Sequence, residues 1–386
     1  MKVSAFIVSL VLMLVLSASG PACVPQTDTT QHRYTSEQLD CLLKKPVCLE
    51  GFRPNQSGPL SRIDEKEGDV PDSTFSVEHI VVPSGDIFIN GWLYLPEGNS
   101  KCPLIIITNG GGNNPQRIRS LPDWLAPILA HCGIAAFVHD KRGTGESGGI
   151  FRETTYENYI TDAGNCAMFL AGHDRIDPDK IGIAGGSEGG RIAVLAASRY
   201  PVFSFVISYA GTVVSAVDDR IYAQKGWLDS FNLNDTAFAE IFSLHEQSIR
   251  AWASNDPEKH QKVNERIFEL RNIYNNEILP YTKEEMDSLS DFDMVLPTWN
   301  SLGYNYLDEL EHFNKKWLAI FGENDIVVPT QASIINIEHY MTLNNNEQYW
   351  IAVLPDCGHA PVSNTTKQLI RIDNLIINWI QSNIMQ

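Results

Sequence analysis

Ile181-Gly-Ile-Ala-Gly-Gly-Ser-Glu-Gly-Gly-Arg191 is the stretch from which the rest of the chain is best read. Lys180 to Ala184 is apolar after its first residue and predicts a buried strand; Arg191 to Arg199 predicts a helix. Between them stands Gly185-Gly-Ser-Glu-Gly189, a G-x-S-x-G pentapeptide. A strand that becomes a helix within so few residues must turn sharply, and side chains at the flanking glycine positions would strike neighbouring backbone. The turn is expected to lift Ser187 above the sheet, beside a helix N-terminus whose free N–H groups favour negative charge. A serine so held suits attack on a carbonyl, because the oxyanion forms next to those donors.

Outward from this stretch the chain alternates. Val77 to Val82 and Phe88 to Tyr94, joined by Pro83-Ser-Gly-Asp86, predict an antiparallel hairpin. Leu104 to Ile107 predicts a buried central strand, followed by a helix over residues 117–131. Ala135 to Val138 is the next strand, and His139-Asp-Lys-Arg-Gly-Thr-Gly-Glu-Ser-Gly148 reads as a structural turn. A helix over Tyr159 to Ala171, a strand over Phe203 to Ser208, strands at Trp317 to Phe321 and Tyr349 to Leu354, and helices over 331–341 and 366–380 complete the pattern. Such alternation implies a mainly parallel sheet covered on both faces. It breaks over residues 213–314, which read as a helical cap inserted above the C-terminal edge of the sheet, with a packing subdomain away from the site as the alternative.

The 386 residues are 43% hydrophobic and 20% charged, enough for one large core. A net charge of −18 argues against nucleic acid or anionic lipid as a partner. Residues 1–22 have a secretory leader's layout: Lys2, an apolar run from Ala5 to Leu16, then small residues. The protein is therefore expected to be exported: periplasmic, secreted or lipid-anchored at the cell envelope. Cys23 after Gly20-Pro21-Ala22 resembles a bacterial lipoprotein cleavage site and is a candidate for lipid attachment to a membrane. Residues 23–74 are polar, and Thr35-Ser-Glu-Gln38 is a capping signal for one short helix. Of seven cysteines, six remain once Cys23 is set aside. Exported chains favour disulfides, so Cys41 with Cys48, and Cys102 with Cys132, are candidate pairs. No spacing suggests a zinc site, and no metal is expected.

A serine nucleophile needs a base, and the base an orienting acid. His359 follows the last predicted strand, where parallel-sheet enzymes gather active-site groups. Asp325, after the preceding strand, is the candidate acid, with Glu323 and Asp356 as rivals. For the oxyanion, one donor is expected from the backbone N–H of Glu188. The second should come from Asn109-Gly-Gly-Gly112, with Gly111 favoured and Gly110 close behind. A phosphate-cradling role for that loop is disfavoured because no Lys-Ser/Thr follows. Trp299, Tyr304 and Tyr306 form an aromatic cluster; Trp299 and Tyr304 are the candidate substrate-binding residues, with cap core as the alternative.

From about residue 75 onward the chain resembles the α/β-hydrolase superfamily. The resemblance rests on Gly185-Gly-Ser-Glu-Gly189, Asp140-Lys-Arg-Gly-Thr-Gly-Glu-Ser147, Gly322-Glu-Asn-Asp-Ile-Val-Val-Pro329 and Gly358-His359, with Ser, Asp and His in that superfamily's order. Within it, the chain is most similar to bacterial dienelactone-hydrolase-like and prolyl-oligopeptidase-like hydrolases. The resemblance implies an eight-stranded, mostly parallel sheet with the core split over residues 75–212 and 315–386. It also implies hydrolysis of a small-molecule ester or other acyl substrate, and no cofactor. Asn109 departs from the His that many members carry before the glycines. A peptidase with the same machinery, and a non-catalytic binding protein on a hydrolase scaffold, are the alternatives.

Overall fold

Eight strands, β1 (Phe75–Ser84), β2 (Ile87–Pro96), β3 (Cys102–Thr108), β4 (Ala135–His139), β5 (Ile176–Gly186), β6 (Phe205–Tyr209), β7 (Lys316–Gly322) and β8 (Tyr349–Leu354), form one sheet. This is a computed structural model, and it describes residues 32–44, 75–111, 121–231, 233–274 and 300–386. The strand order is β1-β2-β4-β3-β5-β6-β7-β8. β2 runs against both of its neighbours, and the remaining pairs are parallel. The central strands β3, β4 and β6 are buried along their whole length. Both faces of these strands must be covered, which is why they read as unbroken apolar runs.

The covering helices are α1 (Ser36–Lys44), α2 (Leu121–His131), α3 (Tyr156–Leu170), α4 (Glu188–Arg199), α8 (Thr330–Leu343) and α9 (Ile372–Asn383). One face of the sheet packs against α3, α4 and α8. The other packs against α1, α2 and α9. α3 opens on a full capping box, with Thr155 and Asn158 each bonded to the other's backbone N–H.

Within 213–314 the described helices are α5 (Ala216–Asp229), α6 (Asp235–Ala253) and α7 (Pro257–Tyr274). They share a small core of Leu228, Ile241 and Leu270. Residues 300–312 do not join that small core: Leu302, Tyr306 and Leu310 are buried in the main core beside α4, where Ala216 of α5 and Ile249 of α6 are also buried. The expected cap therefore includes a stretch that belongs to the sheet's own packing.

Two further expectations are corrected. The closing helix starts at Ile372 rather than 366, because Asp356 gathers residues 363–365 into a turn. Its Oδ2 accepts from Ser363 Oγ at 2.6 Å and Thr365 N at 2.9 Å. The N-terminal extension carries its expected short helix after Thr35 and docks on the fold through it. Tyr34 N donates to Ile351 O at 2.9 Å, pairing residues 33–34 with the edge of β8, and Leu39 of α1 is buried against α9. Lastly, no disulfide joins Cys102 to Cys132. Strand alternation puts Cys102 on the same face as Leu104 and Ile106, whereas Cys132 closes α2 on the opposite face. Cys48, Cys23 and the leader lie outside the described residues. Among the described residues no helix is long and apolar enough to cross a membrane.

Candidate active site

Ser187 occupies the single position between β5 and α4. Its φ of 56° and ψ of −124° lie where non-glycine residues are rarely found. The surroundings hold it there. Ser187 N donates to Tyr209 O at 2.8 Å, and the turn has no room for larger neighbours. A Cβ on Gly185 would collide with Gly189 O and the Thr108 side chain, and one on Gly189 would stand 2.5 Å from Thr108 O. The two small residues are therefore a steric requirement of the turn.

β7 and β8 deliver the other two side chains. His359 Nε2 stands 3.0 Å from Ser187 Oγ, and His359 Nδ1 stands 2.9 Å from Asp325 Oδ2. Asp325 is 3% exposed. Its other oxygen accepts from Val327 N at 2.8 Å and Val328 N at 2.9 Å. Both carboxylate oxygens are thus satisfied without water, which fixes the side chain's direction. The rivals face elsewhere. Glu323 Oε2 accepts from Asp356 N at 3.0 Å, while Asp356 is occupied by Ser363 and Thr365. The His359 loop is anchored from below, because Tyr209 Oη donates to His359 O at 3.0 Å. Burial raises the Tyr209 hydroxyl's pKa far above its ordinary value, so it remains a donor.

Around the expected oxyanion donors the loop after β3 lies against the first turn of α4. Thr108 Oγ1 is 3.0 Å from Ala184 O and 2.8 Å from Gly189 O. Asn109 Nδ2 donates to His139 O at 2.9 Å, so this residue ties the β3 and β4 loops together. Gly111 is adjacent to Glu188: a Cβ there would lie 3.6 Å from the Glu188 side chain. Beneath them runs Lys141. Its Nζ donates to Gly110 O at 2.8 Å, pairs with the Glu188 carboxylate, and sits 4.6 Å from the centre of the Tyr159 ring. Both charged side chains are almost fully buried, at 3% and 8% exposure.

Residues 120–251 match the model of the prolyl oligopeptidase family. A thiohydrolase, aneE, of Aspergillus aculeatus is 32% identical over 130 residues, 33% of this chain and 39% of that protein. Among solved structures, the alpha/beta hydrolase GrgF from a Penicillium species superposes with a TM-score of 0.52 at 17% identity, over 81% of this chain and 100% of that one. Est1E from Butyrivibrio proteoclasticus, solved with ferulic acid bound, gives 0.51 at 17% identity, over 80% and 100%. The chain has the α/β-hydrolase fold. It spans less than half the length of the relatives it matches in sequence.

Within this α/β-hydrolase fold the residues expected to bind substrate fare differently from the other candidates. Trp299 lies outside the described residues. Tyr304 is drawn away from Ser187: its hydroxyl accepts from Arg199 Nη2 at 2.7 Å and donates to Glu309 Oε1 at 2.6 Å. Arg199 closes α4, twelve residues and so about 18 Å of helix from Ser187. Tyr306 is buried against Arg191, its ring 4.7 Å from the guanidinium. Sequence reading missed Lys141, because the turn containing it was read as structure only. The available signal was a lysine directly after the buried His139 and Asp140 at a strand end. It also missed α5 as a support for the site. Arg191 Nη2 donates to Asp219 Oδ2 at 2.6 Å, and Tyr222 Oη donates to Asp325 O at 2.8 Å.

Proposed function

We propose that this protein is an exported serine hydrolase that cleaves carboxylic esters through a Ser187–His359–Asp325 triad and an acyl-enzyme. The observation that carries this reading is the hydrogen-bonded line from Ser187 Oγ through both nitrogens of His359 to Asp325. In the first half-reaction His359 Nε2 takes the Ser187 proton as Oγ bonds to the carbonyl carbon. The carbonyl oxygen becomes an oxyanion facing the N–H groups of Glu188 and Gly111. Asp325 stabilises the imidazolium and holds Nδ1–H. Collapse of the intermediate breaks the bond to the leaving oxygen, which takes the proton from His359. Water then attacks the acyl-enzyme by the same route in reverse, releasing the acid and restoring Ser187.

The match of residues 120–251 to the prolyl oligopeptidase family favours a second reading, hydrolysis of peptide or aminoacyl-amide bonds by the same groups. The thiohydrolase relative adds thioesters to the substrates worth testing. Turnover of p-nitrophenyl acetate, an acyl thioester and an aminoacyl anilide by one preparation ranks the three. Ser187→Ala should abolish both turnover and fluorophosphonate labelling. Asp325→Asn should cost on the order of 10⁴ in kcat, and Glu323→Gln should cost little. Full activity in Ser187→Ala sinks the assignment, and the reverse ranking of the two acid variants moves the acid to Glu323. Export rests on the leader-like residues 1–22, and lipid attachment on Cys23.

A further inference from the structure

Lys141 contacts both halves of the expected oxyanion site from below. Its ammonium donates to Gly110 O and pairs with the side chain of Glu188, the residue whose N–H adjoins Ser187. A trans peptide points its C=O and its N–H in opposite directions. Tying Gly110 O to the Lys141 ammonium, which lies over the Tyr159 ring in the core, therefore turns the N–H of Gly111 away from that ammonium. A glycine-flanked peptide has no side chain to stop it rotating, so without the tie this plane is free to flip. An ammonium on the carbonyl also polarises the peptide and strengthens its N–H as a donor. The Glu188 carboxylate neutralises the buried cation and fastens it to α4, so that loop and nucleophile move as one body.

We infer that Lys141 is a positioning residue that sets the oxyanion site, holding the Gly110–Gly111 peptide in its donating orientation through Gly110 O and locking it to Ser187 through Glu188. The inference rests on the serine-hydrolase reading above. Lysine suits this place because one compact ammonium has three donors, enough for a carbonyl and a carboxylate at once.

The test uses the full-length protein with p-nitrophenyl acetate as substrate and an alkyl trifluoromethyl ketone as an oxyanion-forming inhibitor. Lys141→Met alone would leave Glu188 buried without its cation, so the deciding variant is the neutral pair Lys141→Met with Glu188→Gln. It should keep a melting temperature close to wild type. It should lose about 100-fold in kcat, with KM changed by no more than about threefold. The inhibition constant should rise in parallel with the loss in kcat/KM, because ketone hemiketal and transition state use the same donors. Wild-type kcat and inhibitor affinity in the folded double variant would overturn the inference and leave the hydrolase reading standing. Wild-type turnover that survives Ser187→Ala would overturn both.

Discussion

At the scale of single residues, the molecule places its least comfortable side chains where they do most. Ser187 is held in a backbone conformation that costs on the order of 1–3 kcal/mol, compensated by the packing of Thr108, Gly185 and Gly189 around it. His245 on α6 is uncomfortable in another way. Its Nε2 is buried with no hydrogen-bond partner among the described residues, and its ring meets Trp227 edge-on at 6.3 Å. Burial lowers its pKa from 6.5 to about 4. Between those values the unfolded chain carries the extra proton, so stability falls as pH drops through that window and is fully present above it. The loss is on the order of 2 kcal/mol, since the ring as a whole is only partly buried. His139 is lowered by burial in the same direction. Denaturant unfolding at pH 7 and pH 4.5 should show a smaller difference for His245→Phe than for wild type. Equal differences would mean that His245 does not contribute.

At the scale of elements, α5 braces the site. It is fastened to α4, which follows the candidate nucleophile, through Arg191 and Asp219, and to the loop of the candidate acid through Tyr222. Gly226 lets the helix lie directly on that loop: a Cβ there would run into Ile326 O, next to Asp325. Gly226→Ala must therefore push α5 and the loop apart. Helix propensity favours the substitution by about 1 kcal/mol, so a loss of activity cannot be blamed on a weakened helix. We expect kcat on p-nitrophenyl acetate to fall at least about 10-fold, because small displacements of catalytic groups are costly, with a smaller change in KM. Unchanged kcat would show that α5 only covers the acid loop. Burial alone, which is all that helical periodicity reveals, would not have separated α5 from α6 and α7 in this respect.

At the scale of the whole molecule, the chain closes its sheet with a segment from far away in sequence. Residues 33–34 add backbone pairing to the outer edge of β8, and Asn374 and Asn378 of α9 donate to Leu43 O and Leu42 O at the end of α1. An uncovered edge strand is a site for unwanted pairing, so this cover protects as well as stabilises. If the chain is exported, its leader must be removed upstream of the docked segment. Mass spectrometry of the mature protein should find an N-terminus before His32, with the mass of an attached lipid if Cys23 is modified. A terminus beyond Lys44 would contradict this expectation, and an unmodified terminus away from Cys23 would end the lipid proposal.

What the sequence determined by itself was everything carried by local chemistry. The apolar runs that become buried strands, the glycine-lined turn at Ser187, and the strand-end positions of Asp325 and His359 each depend on a few neighbouring residues, and the α/β alternation adds them up to the fold. Only the tertiary structure decided which distant groups meet. Cys102 and Cys132 have the right separation in sequence, yet strand alternation and the side on which α2 packs put them on opposite faces. Tyr304 is aromatic and lies within the stretch expected to form the cap, yet an ion-pair network captures it at the far end of α4. Lys141 and Glu188 form a pair because β3, β4 and β5 lie side by side, and side-by-side packing of strands leaves no periodic trace in the residues it brings together.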